Sequence, residues 1–559
     1  MKLHTLRIAN NKLVLLAILL LGFSLRMFGM NWDNGWHLHP DERMLIMVTE
    51  RIRFFSHMDP DFFNYGSLPV YILKGASDIV SFFSRTNISN YHGMLGIGRT
   101  VSVIIDCITL LMVFKISRKL FKREAVSLVA TWIYAVSVFP IQNAHFFIVD
   151  PVLTMFVTST IYLLIRYLEE PSKNKIVLIA LFSAGAITTK FTGILLLPII
   201  VVTFLARMFL IQKSSTIKKT VVFFSEGTLF TSLLVAFAFL FMPFGFLHHE
   251  QFITEITLQL RMNSDPLIFP YTLQYVGTAS YGYYLKNIFL WGLGPVICSL
   301  VIIGSVNLAK KLIQMRPSYS DFSFLIIICY FLIHFTLIGK SAVKFMRYML
   351  PLYPFFAVLA GYGLYRIRSS SFGKYVTIPA LILTVVWTLL FMSIYTRPHT
   401  RIQASEWIYE QIPAGSTIAV EHWDDQLPLP LSKNNWPSMY DTYQFEILEL
   451  YNPDTDAKWQ KIEDQLARAD YIVIASNRLY TPLQKLTDCN NLPSDRCYPK
   501  TADYYQKLFK DEHSFYKVAE FTSYPGLRLG NLKFEINDQG ADESFTVYDH
   551  PKVIVFKKK

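Results

Sequence analysis

Apolar runs long enough to cross about 30 Å of hydrocarbon recur along the chain from Leu13 to near Tyr395. Roughly eleven can be counted, at 13–27, 101–114, 125–139, 151–165, 176–188, 194–210, 221–241, 288–306, 322–338, 348–364 and 376–393. With 52% hydrophobic and 15% aromatic residues and a mean hydropathy of +0.33, the chain is too apolar for soluble cores to absorb. The bilayer must be its solvent. The pattern predicts an all-α polytopic membrane bundle over residues 1–395, followed at 396–559 by a soluble lobe.

Basic residues orient the bundle, because cytoplasmic loops carry the Lys and Arg excess. Lys2, Arg7 and Lys12 place the N-terminus inside. Every second loop repeats the signal: Lys115 to Arg123, then Arg166 to Lys175, Arg207 to Lys219 with Lys213, Lys310 to Arg316, and Arg366 to Lys374. An odd number of spans then leaves the lobe extracytoplasmic, in a cell membrane. Arg26 and the large residues after it make a poor cleavage site, so the first run reads as a retained anchor. The net charge of +12 has its source in the inner loops. No basic, aromatic-interleaved nucleic-acid motif occurs.

An outer loop at 30–91 holds two amphipathic stretches, 42–55 and 68–83, expected as helices lying in the interface. A second outer segment, 244–286, is rich in Tyr and Gln. In the tail, helices are expected at 404–411, 457–469 and 504–509, and strands at 417–421, 471–475, 516–522, 545–548 and 552–556. That alternation predicts a small α/β lobe. Cys107, Cys298 and Cys329 fall in apolar runs as small core residues, whereas Cys489 and Cys497 lie in the exported tail, where a disulfide is permitted but not required.

Three sets of residues carry possible chemistry. His37, His39, Asp41 and Glu42 stand just after the first span; the carboxylates and histidines suit a general base or a metal site, while Asp41 also suits a helix cap after Pro40. Asn143, His145 and Asp150 gather at the next outer turn, and a carboxylate at a span end is costly unless paired or wet. Lys190, Lys340, Lys344 and Arg347 break the positive-inside rule. Something anionic should meet them, and a phosphate at the lipid boundary fits, with lipid headgroups as the plain alternative. Arg99 and Asp106 either pair or face one cavity. Trp32, Trp36 and Tyr65 read as aromatic-belt anchors. Asp424 and Asp425 read as a structural turn, and His248 and His249 as solvated.

In order, His39-Pro40-Asp41-Glu42, Asn64-Tyr65-Gly66-Ser67-Leu68-Pro69, Ala144-His145 through Asp150, Thr189-Lys190-Phe191-Thr192-Gly193, and Lys344-Phe345-Met346-Arg347-Tyr348 resemble the GT-C membrane glycosyltransferases. The nearest branch includes protein O-mannosyltransferases and the aminoarabinose transferase acting on lipid A. The resemblance implies a polyprenyl-phosphate-linked sugar donor, of hexose type, and a protein, lipid or glycan acceptor. It casts Asp41 as base, with Glu42 shaping the catalytic site, and Arg347, Lys344 and Lys190 as stabilisers of the departing phosphate. His39, Tyr65, Arg99, His145 and Asp150 complete the substrate- and donor-binding set. Single displacement would invert the anomeric carbon. No cofactor is required by this reading. A divalent-metal variant would use His37, His39 and Asp41 or Asp150. A flippase of lipid-linked saccharides is a rival, but transporters place polar groups near the midplane between repeated halves. A third reading makes the lobe a glycan-binding sensor that the bundle merely anchors.

Overall fold

The computed structural model describes residues 2–210, 215–313, 319–371, 373–529 and 532–559; Lys213 and Arg316 of the inner-loop reading lie outside them. The first part of the chain is helical: α1 (Lys2–Met27), α2 (Pro40–Arg51), α3 (Leu68–Ser84), α4 (Tyr91–Phe121), α5 (Glu124–Ala135), α6 (Val138–Ala144), α7 (Val149–Glu169), α8 (Lys173–Ile187), α9 (Leu196–Leu210) and α10 (Thr216–Phe241). It continues through α11 (Pro243–Leu247), α12 (His249–Ser264), α13 (Gly282–Asn287), α14 (Pro295–Ile313), α15 (Tyr319–Lys340), α16 (Tyr353–Arg368) and α17 (Gly373–Met392).

Seven described helical segments are long and apolar enough to cross a membrane, and the pair α5 and α6, bent by 57°, makes an eighth if counted as one span. This is a multi-pass membrane protein. The bend leaves carbonyls without helical partners, and Thr388 Oγ1 of α17 donates to Val136 O at 2.6 Å, the internal satisfaction that buried irregular backbone requires. The expected runs at 176–188 and 348–364 are helices of 15 and 16 residues, about 24 Å at most. On α10 the one buried side chain is Phe230; its remaining apolar surface suits lipid. Both interfacial stretches form helices, α2 and α3. Pro40 fits the first turn of α2, where its missing N–H costs nothing, and the cap is His39, whose ring accepts from Glu42 N at 3.5 Å, in place of the expected Asp41.

The tail is an α/β lobe. Its helices are α18 (Thr400–Gln411), α19 (Trp436–Tyr440), α20 (Asp456–Arg468), α21 (Tyr480–Leu483), α22 (Pro499–Phe509) and α23 (Glu543–Thr546). Its strands are β1 (Thr417–Glu421), β2 (Gln444–Leu448), β3 (Tyr471–Ile474), β4 (Phe515–Phe521), β5 (Gly526–Leu529), β6 (Leu532–Glu535) and β7 (Val553–Lys558). Five form one sheet in the order β2-β1-β3-β7-β4, while β5 and β6 make a hairpin. β1 is parallel to β2 and β3; β7 is antiparallel to β3 and β4. Cys489 and Cys497 are disulfide-bonded, with Cα atoms 5.4 Å apart.

The strand expected at 545–548 is instead α23 and the turn after it. Its apolar residues leave the sheet to plug the bundle: Phe545 packs among Phe139, Trp291 and Phe391. Polar contacts fix the plug. Gln142 Nε2 donates to Phe545 O at 2.7 Å, and Tyr395 OH to Asp549 Oδ2 at 2.8 Å. His550 lies fully buried between Asp549 (2.5 Å) and Asp538 (2.8 Å). Burial alone would lower its pKa, but the two carboxylates raise it from 6.5 to about 10. The folded value exceeds the unfolded one, so the contribution is full below about pH 6.5 and is lost as pH climbs toward 10. Thermal unfolding followed from pH 6 to pH 9.5 should therefore show a falling midpoint, and His550→Gln should flatten that fall.

Candidate functional site

Two motifs of the sequence meet through backbone hydrogen bonds. Gly66 N donates to Thr189 O and Leu68 N to Thr188 O, both at 3.2 Å. A Cβ at Gly66 would stand 1.8 Å from Thr188 O, so only glycine admits this approach. The contact sets Tyr65 beside Lys190 on the wall of a cavity of about 550 Å³.

Asp41, Asp150, Lys190 and Arg347 converge there. Arg347 donates from Nη1 to Asp41 Oδ2 and stands 3.9 Å, by Nε, from Asp150 Oδ2. Lys190 Nζ donates to Asp150 Oδ1 at 2.7 Å and sits 4.4 Å from the Tyr348 ring centroid. Burial, the largest influence, would raise the Asp41 pKa, but the charge and hydrogen bond of Arg347 together with His39 and Lys190 outweigh it and hold the carboxyl below its usual range. Burial likewise depresses the Lys190 pKa against the pull of Asp150. The apolar side chains Leu153, Phe191, Ile256, Leu260 and Ile338 also line the cavity. Two carboxylates and two cations in an apolar-walled cavity can exchange their partners for an anionic ligand.

Other expected site residues serve the frame. Glu42 faces away from the cavity: Arg99 Nη2 donates to Glu42 Oε2 at 2.7 Å and to Asp33 Oδ2 at 2.9 Å, and Phe147 N donates to Glu42 Oε1 at 2.8 Å. Burial raises the Glu42 pKa, opposed by Arg99. Arg99 thus binds Glu42 and Asp33, not Asp106, whose partners are Arg26 (2.5 Å) and Tyr134 (2.6 Å). The His39 ring lies tilted against Tyr548, centroids 3.9 Å apart, and burial pulls its pKa down to about 3, leaving a neutral capping ring. His145 has one ring nitrogen 2.8 Å from Phe28 O and the other 2.8 Å from Ile141 O. Lys344 Nζ donates to Ala342 O at 2.8 Å, outside the cavity lining. Trp32 is buried under Arg99 at 4.8 Å, and Tyr65 lines the cavity, so neither is a belt anchor. His248 and His249 are exposed, as expected, and His248 also pairs with Asp59 at 3.0 Å.

The residues expected as metal ligands do not assemble. His37 stacks on Tyr91 at 4.0 Å, His39 caps α2, and Asp41 and Asp150 are held by cations. Among the described residues no group of three or more His, Cys, Asp or Glu is placed to hold a metal ion.

Part of the cavity was not legible in the sequence. Tyr271, Gln259 and Asn263 come from the second outer segment, whose Tyr and Gln content was the signal. Trp423, Arg478, Glu543 and Tyr548 come from the lobe. Asp424 and Asp425 form the expected turn, clamped by Arg401 at 2.7 and 2.6 Å.

Residues 94–243 match the family model for dolichyl-phosphate-mannose-protein mannosyltransferases, and the match takes in Arg99, His145, Asp150 and Lys190. No curated protein sequence matches the chain. Among solved structures, the oligosaccharyltransferase AglB from Archaeoglobus fulgidus, in complex with an inhibitory peptide and a dolichol-phosphate, is 12% identical. Its TM-score is 0.49, over 92% of this chain and 80% of that one. ArnT from Cupriavidus metallidurans, bound to undecaprenyl phosphate, is 13% identical with a TM-score of 0.42, over 86% and 95%. The Pmt1-Pmt2 protein O-mannosyltransferase complex of S. cerevisiae, bound to the sugar donor, is 14% identical with a TM-score of 0.33, over 44% and 34%.

Because Glu42 neutralises Arg99 inside the frame, Glu42→Ala should act on stability. We expect a loss of about 3–5 kcal/mol, the cost of breaking a buried pair, measured by thermal unfolding.

Proposed function

We propose that this chain, a GT-C-like membrane glycosyltransferase, moves a hexose-type sugar from a polyprenyl-phosphate donor to an extracytoplasmic acceptor with inversion. The observation that carries the reading is the convergence of Asp41, Asp150, Lys190 and Arg347 in one apolar-walled cavity. The apolar wall suits the prenyl chain, and the two cations suit its phosphate.

The resting contacts give the order of events. Asp41 is bonded to Arg347 and is a poor base while that contact lasts. An arriving donor phosphate draws Arg347 and Lys190 toward itself, which frees Asp41 for the acceptor hydroxyl. Asp41 takes the hydroxyl proton as the oxygen bonds to the anomeric carbon. The bond from that carbon to the phosphate oxygen breaks, and the electron pair leaves on the lipid phosphate, whose growing charge Arg347 and Lys190 offset. Asp150 keeps Lys190 aimed at that place.

Membranes loaded with radiolabelled polyprenyl-phosphate hexoses test the reading. Asp41→Asn should lower transfer by about 10²–10⁴-fold, the usual worth of a general base, and chelation should change nothing. Arg347→Ala should lose both turnover and donor binding. Since Arg347 keeps Asp41 ionised in the free enzyme, kcat/KM should stay level from about pH 5 upward. Transfer by both variants at the native rate would overturn the roles given to Asp41 and Arg347, and passage of the lipid across the bilayer without transfer would favour the flippase.

A further inference from the structure

The lobe segments that reach the cavity leave its sheet at one edge. Trp423 lies just beyond the carboxyl end of β1, and Arg478 just beyond that of its parallel neighbour β3. β7 runs antiparallel to β3, with Ile474 opposite Ile554, so the segment leading into β7, with Glu543 and Tyr548, arrives at the same edge. In open α/β sheets, ligands bind in the crevice beyond the carboxyl ends of parallel strands. Here that crevice opens on the cavity.

Trp423 has φ of 80° and keeps 43% of its surface exposed. A bulky residue in the left-handed region is an outlier, held only where its surroundings force it. The surroundings here are rigid: Arg401 clamps the next two residues, Ser476 donates to Asp424, and Arg478 Nη1 donates to Trp423 O at 3.1 Å. An apolar ring is thus fixed at the cavity wall instead of folded into the lobe. The Tyr271 ring lies 6.3 Å from it. Close by, Arg478 Nε donates to Glu543 Oε1 at 2.7 Å, a fork of donors beside a carboxylate. Tyr548 lines the same cavity as Arg347, Asp41, Arg478 and Glu543 and lies within electrostatic reach of all four, so this wall adjoins the ionic centre.

We propose that this lobe wall is the acceptor subsite and that the acceptor is a saccharide, its ring packed on Trp423 and Tyr271 and its hydroxyls bonded to Arg478 and Glu543. The inference rests on the transferase reading above. Aromatic faces flanked by paired donors and acceptors complement the apolar face and equatorial hydroxyls of a sugar. Two common modes of peptide capture, strand addition and a helix laid in a groove, call for a free strand edge or a helical groove, whereas the lobe offers strand ends and loops here. The volume of about 550 Å³ also lies within the range of about 300–1,000 Å³ typical of small-ligand sites.

The test uses the full-length protein in nanodiscs, with saturation-transfer NMR of mannotriose and of a serine-containing hexapeptide, and a separate assay of undecaprenyl phosphate binding. Mannotriose should bind, weaken about tenfold or more in Trp423→Ala, and stay within about threefold in Trp423→Phe. Undecaprenyl phosphate should bind all three proteins alike. Absence of mannotriose binding, equal binding by Trp423→Ala, or binding of the hexapeptide in its place would overturn the inference. Native protein that binds mannotriose but not undecaprenyl phosphate would overturn the transferase reading and leave the saccharide wall standing.

Discussion

Arg99 holds Asp33 and Glu42 in one buried cluster, and the direction in which Asp41 points follows from it. Charges withdrawn from water must be paired, and a guanidinium between two carboxylates has few alternative geometries. The cluster ties the start of α2 to α4. Successive residues of a helix point about 100° apart, so with Glu42 turned into the cluster, Asp41 turns to the cavity. One residue of the motif is thus structural and its neighbour is free for chemistry.

The same pairing rule runs through the rest of the bundle. Arg26 meets Asp106 between α1 and α4, and Lys190 meets Asp150 between the turn after α8 and the start of α7. At the cavity the rule yields a balanced set, two carboxylates against two cations, which is stable at rest and open to exchange when a phosphate arrives. In the proposed reaction, donor binding and release of the base are therefore one event, so the base is exposed only when there is a sugar to move.

The sequence announced the span-forming runs and the ionic centre because both break simple rules. Lys190 and Arg347 stood on the side where basic residues should be scarce, and Asp150 stood at a span end. It did not separate Glu42, Arg99, His145 and Lys344, which lie outside the cavity lining, from the residues that line it, because a buried frame uses the same residue types as a site, and which of two adjacent carboxylates faces the cavity depends on tertiary partners. The plug at Phe545 read as a strand since alternating apolar residues fit a sheet edge or a short helix sunk into a bundle equally well. Trp423, Arg478 and Glu543 left no local signal: sheet topology alone brings them together.

In the proposed reaction Asp41 and the donor phosphate compete for Arg347. Binding of undecaprenyl phosphate should therefore be compared between the native protein and Asp41→Asn under one lipid and salt condition. Asp41→Asn should bind it severalfold more tightly, since the variant no longer occupies the guanidinium with a charge. Equal or weaker binding would mean that the Asp41–Arg347 pair belongs to the frame and not to the reaction.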